Sequence, residues 1–177
     1  MKIILDESRL QEGVQRIADL IAREYQSRPI TIIAIMTGSL VMLADLIRRL
    51  EMPLRIGLIQ ASSYRGGTVS GSLTINDQMM LDIQDRDVIL VDDIFDTGKT
   101  LSEIVQRMNL LSPKSIRTAV LLRKEGTQVV SFEPDYVAFK IPDEFVVGYG
   151  LDYEDQYRNL PYVCALEQKD LEAHRSI

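Results

Sequence analysis

One cysteine, one histidine and no tryptophan in 177 residues exclude several chemistries at once. Cys164 has no partner for an intrachain disulfide, and nothing here points to an oxidising compartment. His174 stands alone in a polar tail, so neither a histidine-based metal cluster nor a Ser-His-Asp triad is expected. Long apolar runs are missing too. The start, Met1-Lys-Ile-Ile-Leu-Asp6, reaches an acid after too few apolar residues for a signal peptide. The longest apolar region, Ile30 to Ala44, is broken by Thr31, Thr37, Gly38 and Ser39, which makes it too short and too interrupted to span a bilayer. Positive charge is in deficit, with 20 Lys and Arg against 26 Asp and Glu, net −6, and a pI near 4.9. That balance argues against general affinity for nucleic acid or anionic membrane, while leaving room for a local cationic site. A cytoplasmic protein is expected.

With 46% hydrophobic residues the chain can bury one good core, and one domain over 1–177 is expected. No internal repeat, low-complexity tract or linker divides it. Leu10, Val14, Ile17, Ile21 and Tyr25 fall at helical spacing and predict a helix over 7–27. Strands are expected at 30–36, 54–61, 88–93, 115–122, 136–140 and near 162–166, with helices over 39–50 and 99–110. Strands alternating with helices imply right-handed crossovers and a parallel sheet.

Residues 88–100, Val-Ile-Leu-Val-Asp92-Asp93-Ile-Phe-Asp96-Thr97-Gly98-Lys99-Thr100, are the most informative stretch. Four apolar, mostly β-branched residues suit a strand covered on both faces. Asp92 and Asp93 then fall at its carboxyl end, where open α/β sheets place ligands. Leu101, Ile104, Val105 and Met108 continue at helical spacing, so a helix opens near Thr97 to Lys99. Its free N–H groups and positive dipole end favour a phosphate dianion. Gly98 permits close backbone approach, and the Thr97 and Thr100 hydroxyls add donors. A Walker A loop would need a glycine where Asp93 stands, so the ATPase reading fails. Asp96 or Thr97 is also expected to cap the helix. Capping does not require three acids within five residues, whereas a phosphorylated-sugar site does use them.

This stretch closely resembles the phosphoribosyl pyrophosphate (PRPP) motif of the type I phosphoribosyltransferases. The resemblance implies a central parallel sheet flanked by helices, a small hood built from the chain ends, and a flexible lid. Asp92 and Asp93 would hold the ribose hydroxyls, and 96–100 would cradle the 5'-phosphate. An aspartate at 96 looks like the 6-oxopurine branch, the hypoxanthine-guanine phosphoribosyltransferases. Asp92 stands where related enzymes often carry glutamate, which shortens one ribose or metal contact.

Other segments extend the likeness. Residues 62–78 are rich in Gly, Ser and Thr and poor in apolar anchors, so a mobile loop or loose hairpin is expected. This segment is similar to the family lid, with Ser63 and Tyr64 at the matching place. Thr37-Gly38-Ser39 joins a strand to a helix and resembles the pyrophosphate loop, in which a non-proline cis peptide turns amides toward the leaving group; here the cis bond is expected at Thr37–Gly38. Thr37 replaces a basic residue common in relatives, removing one cation while keeping the backbone donors. Residues 141–160 match the purine-binding hood, which implies that Phe145 stacks on the base and the Val146 backbone reads its edge. Asp152 would join Asp92 and Asp93 around magnesium, and Arg158 would bind pyrophosphate. Lys124 matches the lysine that donates to the 6-oxo group, which favours a carbonyl over adenine's amino group.

Assembled, the resemblance implies a purine-salvage enzyme. It would move the phosphoribosyl group from PRPP to N9 of hypoxanthine or guanine, giving IMP or GMP and pyrophosphate. Asp96 would be the general base on N7 and Mg²⁺ the cofactor. Homodimers or homotetramers are usual in the family. Two other readings stand beside it. One is a phosphoribosyltransferase preferring xanthine or a pyrimidine; the other is a non-catalytic PRPP or nucleotide sensor on the same fold.

Overall fold

The computed structural model describes residues 1–63, 73–76, 80–167 and 170. The elements run β1 (Lys2–Leu5), α1 (Glu7–Tyr25), β2 (Ile30–Met36), α2 (Leu40–Ile47), β3 (Leu54–Ser63), β4 (Leu73–Asn76), β5 (Asp87–Phe95), α3 (Lys99–Asn109), β6 (Ser115–Lys124), β7 (Tyr136–Ile141), β8 (Val146–Val147) and β9 (Val163–Ala165). Six strands form a sheet in the order β4-β3-β2-β5-β6-β7. Every pairing from β3 through β7 is parallel, and β4 adds to β3 antiparallel.

Period-two alternation explains why apolar strands serve two layers at once. In β5, Ile89 and Val91 point to a cluster with α1 and α2, through Leu10, Val14, Ile17, Met42 and Leu46. Val88 and Leu90 point the other way, to Leu101, Ile104 and Met108 of α3. Both faces are therefore dry, and the polar groups of β5 appear only at its ends. Toward its carboxyl end are Asp92 and Asp93, just past the last rung with β2, Ala34 opposite Val91, and still beside β6, where Asp92 faces Val120.

Local chemistry sets the helix limits. Asp6 caps α1 by accepting from the Arg9 amide at 2.9 Å. Gln26, at φ 54°, ends that helix two residues before the expected boundary. The second helix is likewise shorter than the expected 39–50.

A second, three-stranded sheet has the order β1-β9-β8, with antiparallel pairing throughout. It joins both chain ends to the hood segment, as the resemblance implies. Of the lid expected at 62–78, Ser63 ends β3 and 73–76 pair with it; Tyr64 lies outside the described residues. Among the described residues no helix is long and apolar enough to cross a membrane.

Candidate active site

A cavity of about 360 Å³ opens at the carboxyl ends of β2 and β5. Thr37 and Gly38 line it from one turn, Asp92, Asp93, Asp96, Thr97, Gly98 and Thr100 from the other, and Asp152 and Arg158 from the hood. A smaller chamber of about 180 Å³ adjoins it, lined by Lys124, Phe145, Val146 and Leu151. Asp93, Ile94, Asp96 and Asp152 border both. The sugar-phosphate and base residues named from sequence thus meet in two connected chambers. Lys99 and Ser39 are the exceptions. Lys99 is exposed at the start of α3, and Ser39 is fully buried with its hydroxyl donating to the Ile35 carbonyl at 2.6 Å. Ser39 therefore fastens the turn from below, and neither residue lines the cavity.

The 96–100 turn differs from expectation in a way that leaves backbone donors open to an anion. Gly98, at φ 81°, is the N-cap of α3 and no side chain caps the helix. Asp96 and Thr97 are not caps, so the first-turn N–H groups keep their capacity for an external acceptor. A Cβ on Gly98 would lie 2.5 Å from Val130 and 2.6 Å from Phe95, so both space and backbone demand glycine.

The opposite turn also needs a correction. The cis peptide is Met36–Thr37, one bond before the expected Thr37–Gly38. β2 holds its register with β3 as far as Met36 opposite Gln60, so the chain changes course directly after that pair. Gly38 sits against Asp93: a Cβ there would be 1.7 Å from Asp93 Oδ2. Gly150 of the hood approaches the same turn, and its Cβ would be 2.1 Å from the Gly38 carbonyl oxygen.

Asp92 is 8% exposed. Burial, and then the charge of Asp93, push its carboxyl well above the usual range; burial likewise raises Asp93. The Asp93 amide donates to Asp92 Oδ1 at 3.1 Å, and the Ile94 amide to Asp93 Oδ1 at 2.7 Å. Two desolvated acids side by side are costly, which suits groups that meet hydroxyls or a cation. Among the described residues no group of three or more His, Cys, Asp or Glu could by itself hold a metal ion. The acids present fit a magnesium ion that takes most of its oxygens from a diphosphate and water.

Lys124 ends β6 and is 9% exposed. Its Nζ lies 3.3 Å from Asp96 Oδ2 and 3.1 Å from Asp143 Oδ1. Phe145, by contrast, is 51% exposed at the rim of the smaller chamber, where it meets Tyr153 edge-on at 5.6 Å. A large aromatic left half open beside a cavity is suited to stacking. Val146 is buried and pairs with Ala165. Arg158 and Asp152, assigned to pyrophosphate and metal by resemblance, pair with each other at 2.8 Å, and Arg158 also donates to the Gly150 carbonyl at 2.8 Å.

Some neighbours of the site were not found by sequence reasoning. Tyr149 donates its hydroxyl to Asp45 of α2, fastening the hood beside the Gly38 turn. Burial and that carboxylate hold the Tyr149 hydroxyl far above its ordinary range. Thr127 and Gln128, after β6, bond to the Asp96 carbonyl. Single polar residues in loops carry no periodic signal, so only the fold reveals them.

A family model of the phosphoribosyl transferase domain matches residues 1–154. The hypoxanthine-guanine phosphoribosyltransferase of Staphylococcus epidermidis is 39% identical over 166 residues, covering 93% of each protein. A bifunctional TilS/HprT protein of Listeria innocua is 37% identical over 167 residues, and the chain spans 26% of its length. Among solved structures, a hypoxanthine-guanine phosphoribosyltransferase of Bacillus anthracis is similar at TM-score 0.89 and 36% identity, over 94% of this chain and 99% of that one. A variant hypoxanthine phosphoribosyltransferase of Trypanosoma cruzi complexed with the product IMP is similar at TM-score 0.91 and 34% identity, over 99% of this chain and 94% of that one. With the two connected chambers and the parallel sheet beneath them, these matches show that the chain belongs to the hypoxanthine-guanine phosphoribosyltransferases, purine-salvage enzymes of the type I phosphoribosyltransferase fold.

Proposed function

We propose that this chain transfers the 5-phosphoribosyl group of PRPP to N9 of hypoxanthine and guanine, releasing pyrophosphate, with Asp96 as general base. One observation carries the reading: a carboxylate and an ammonium 3.3 Å apart on the wall of the base chamber. The 6-oxo oxygen and N7 lie on the same edge of a purine. An ammonium donating to the oxygen and a carboxylate taking the N7 proton together match that edge. Adenine would present an amino donor to the ammonium instead.

In this reading Asp92 and Asp93 hold the ribose 2' and 3' hydroxyls, and the 97–100 turn holds the 5'-phosphate through backbone donors. Arg158 and the amides of the 37–39 turn receive the charge that builds on the leaving group. As Asp96 takes the N7 proton, the N9 lone pair attacks ribose carbon 1. The carbon–oxygen bond to pyrophosphate breaks, and its electron pair leaves with pyrophosphate. Magnesium, held by Asp92, Asp93 and Asp152 with substrate oxygens, would supply charge neutralisation of the diphosphate. A cytoplasmic location and assembly as a homodimer or homotetramer belong to the same proposal.

The test is nucleotide formation from PRPP and magnesium with hypoxanthine, guanine, xanthine, adenine and uracil in parallel. Product from hypoxanthine or guanine and none from adenine is expected. Product chiefly from xanthine or uracil would reassign the base. No product from any base, with PRPP still bound, would make the chain a sensor.

A further inference from the structure

We propose that Gln128 and Thr127 are positioning residues that set the span between Asp96 and Lys124; the inference rests on the general-base reading of Asp96. The parallel ladder between β5 and β6 ends with Phe95 opposite Arg123. Asp96, just past β5, and Lys124, the last residue of β6, come next, and backbone rungs between these two strands have stopped where the chemistry begins. Gln128 supplies the missing rung from a side chain. Its Nε2 donates to the Lys124 carbonyl at 2.6 Å and to the Asp96 carbonyl at 3.0 Å. One amide nitrogen thus ties together the backbones of the carboxylate and the ammonium.

Thr127 completes the arrangement. Its hydroxyl donates to the same Asp96 carbonyl at 3.0 Å and lies 3.1 Å from Gln128 Nε2. The Val129 amide then donates to the Thr97 carbonyl at 3.1 Å, and Val130 packs where a side chain on Gly98 would have to go. Both Thr127 and Gln128 are only half-buried, so the core does not need them. Their donors converge on the carbonyl of the one residue whose carboxylate must meet N7. A carbonyl oxygen has two lone pairs, and these two side chains occupy them. Fixing the backbone of Asp96 limits its carboxylate to side-chain rotation, which is how orientation is held without a direct contact to substrate.

Gln128→Met keeps the length of the side chain and removes both donations; Thr127→Val keeps the shape and removes the hydroxyl, while Thr127→Ser restores it. Initial rates are measured with PRPP, magnesium and hypoxanthine, together with thermal melting of each intact protein. Gln128→Met is expected to lower kcat about tenfold with the KM for PRPP within about twofold of the parent. Thr127→Val lowers kcat in the same sense, and Thr127→Ser recovers it. A purely structural role would lower the melting temperature and leave kcat unmoved, which overturns the proposal. Loss of kcat matched by an equal rise in KM for PRPP overturns it too, because the phosphate turn itself would have collapsed. Should Gln128→Met fail to fold, the Val and Ser pair at 127 decides: equal kcat in the two rejects the rung. A parent protein that makes no nucleotide refutes the assigned activity, whereas an active parent with insensitive variants refutes only the positioning role.

Discussion

Gly38→Ala is expected to damage PRPP turnover through one contact. The backbone at Gly38 is not in the left-handed region, so alanine meets no conformational barrier there. Space is the obstacle: the new methyl would sit 1.7 Å from Asp93 Oδ2 and 2.5 Å from Asp93 Cγ. Ordinary carbon–oxygen contact is roughly 3.3 Å, so the carboxylate or the turn must retreat by more than about 1 Å. Asp93 cannot retreat freely, because its other oxygen accepts from the Ile94 amide at 2.7 Å. A hydrogen bond to a charged group is worth about 1.5–3 kcal/mol. If that amount is lost from ribose orientation, kcat/KM for PRPP falls between about tenfold and about 150-fold. Steady-state kinetics with varied PRPP at saturating hypoxanthine measure it, and a melting curve confirms folding. An alanine variant with parental kcat/KM would show that contact between Asp93 and the 37–39 turn has no part in presenting the ribose.

Asp96→Asn preserves shape and removes proton acceptance, so kcat should drop by about 10²–10⁴-fold while PRPP affinity, measured by calorimetry, changes little; equal losses in both would make Asp96 a ribose ligand or a structural residue. Lys124→Met should raise the KM for hypoxanthine more than that for PRPP and weaken the exclusion of adenine, both read from competition between the two bases. Acid stability rests partly on Asp87. Burial alone would raise its carboxyl, but the Ser115 hydroxyl at 2.6 Å and the Lys114 ammonium at 3.2 Å outweigh it and hold the group below its usual range. A depressed carboxyl stabilises the fold above its unfolded pKa of about 3.9 and loses that contribution as pH falls through the lower folded value. Asp87→Asn should therefore flatten the fall in melting temperature at acid pH, and an unchanged profile would refute the assignment.

The strand and helix order was legible because each apolar run in the sheet serves two layers and each helix has a single apolar face. Asp92, Asp93 and Asp96 were legible for a related reason: three acids that interrupt an apolar run toward its carboxyl end are more than a buried strand or a helix cap requires. The base side was less open to reading. Phe145 sits among apolar neighbours in the sequence, which carry no sign of exposure, and it is the fold that leaves it half exposed. β1 and β8 are too short to show periodicity, and their identity as strands comes from β9, which lies between them. Gln128 and Thr127 follow β6 and donate to the Asp96 carbonyl at the end of the neighbouring strand β5, a meeting that sequence spacing does not encode. The cis bond lies one residue before the expected place, directly after the last β2–β3 pair, and sequence alone did not show where that ladder ends.

The hood's middle strand, β9, is the last strand among the described residues, with β1 on one side of it and β8 on the other. During synthesis Leu5 must wait for Val163 before its strand has a neighbour, which is the most distant kind of contact a chain can make. The strand ends and turns that line the larger cavity from residues 35–38, 92–98 and 100–101 are all present long before that moment. A growing chain therefore has the β2 and β5 wall of the larger cavity early, and the facing wall, from the hood, gains its three-stranded sheet only when β9 arrives.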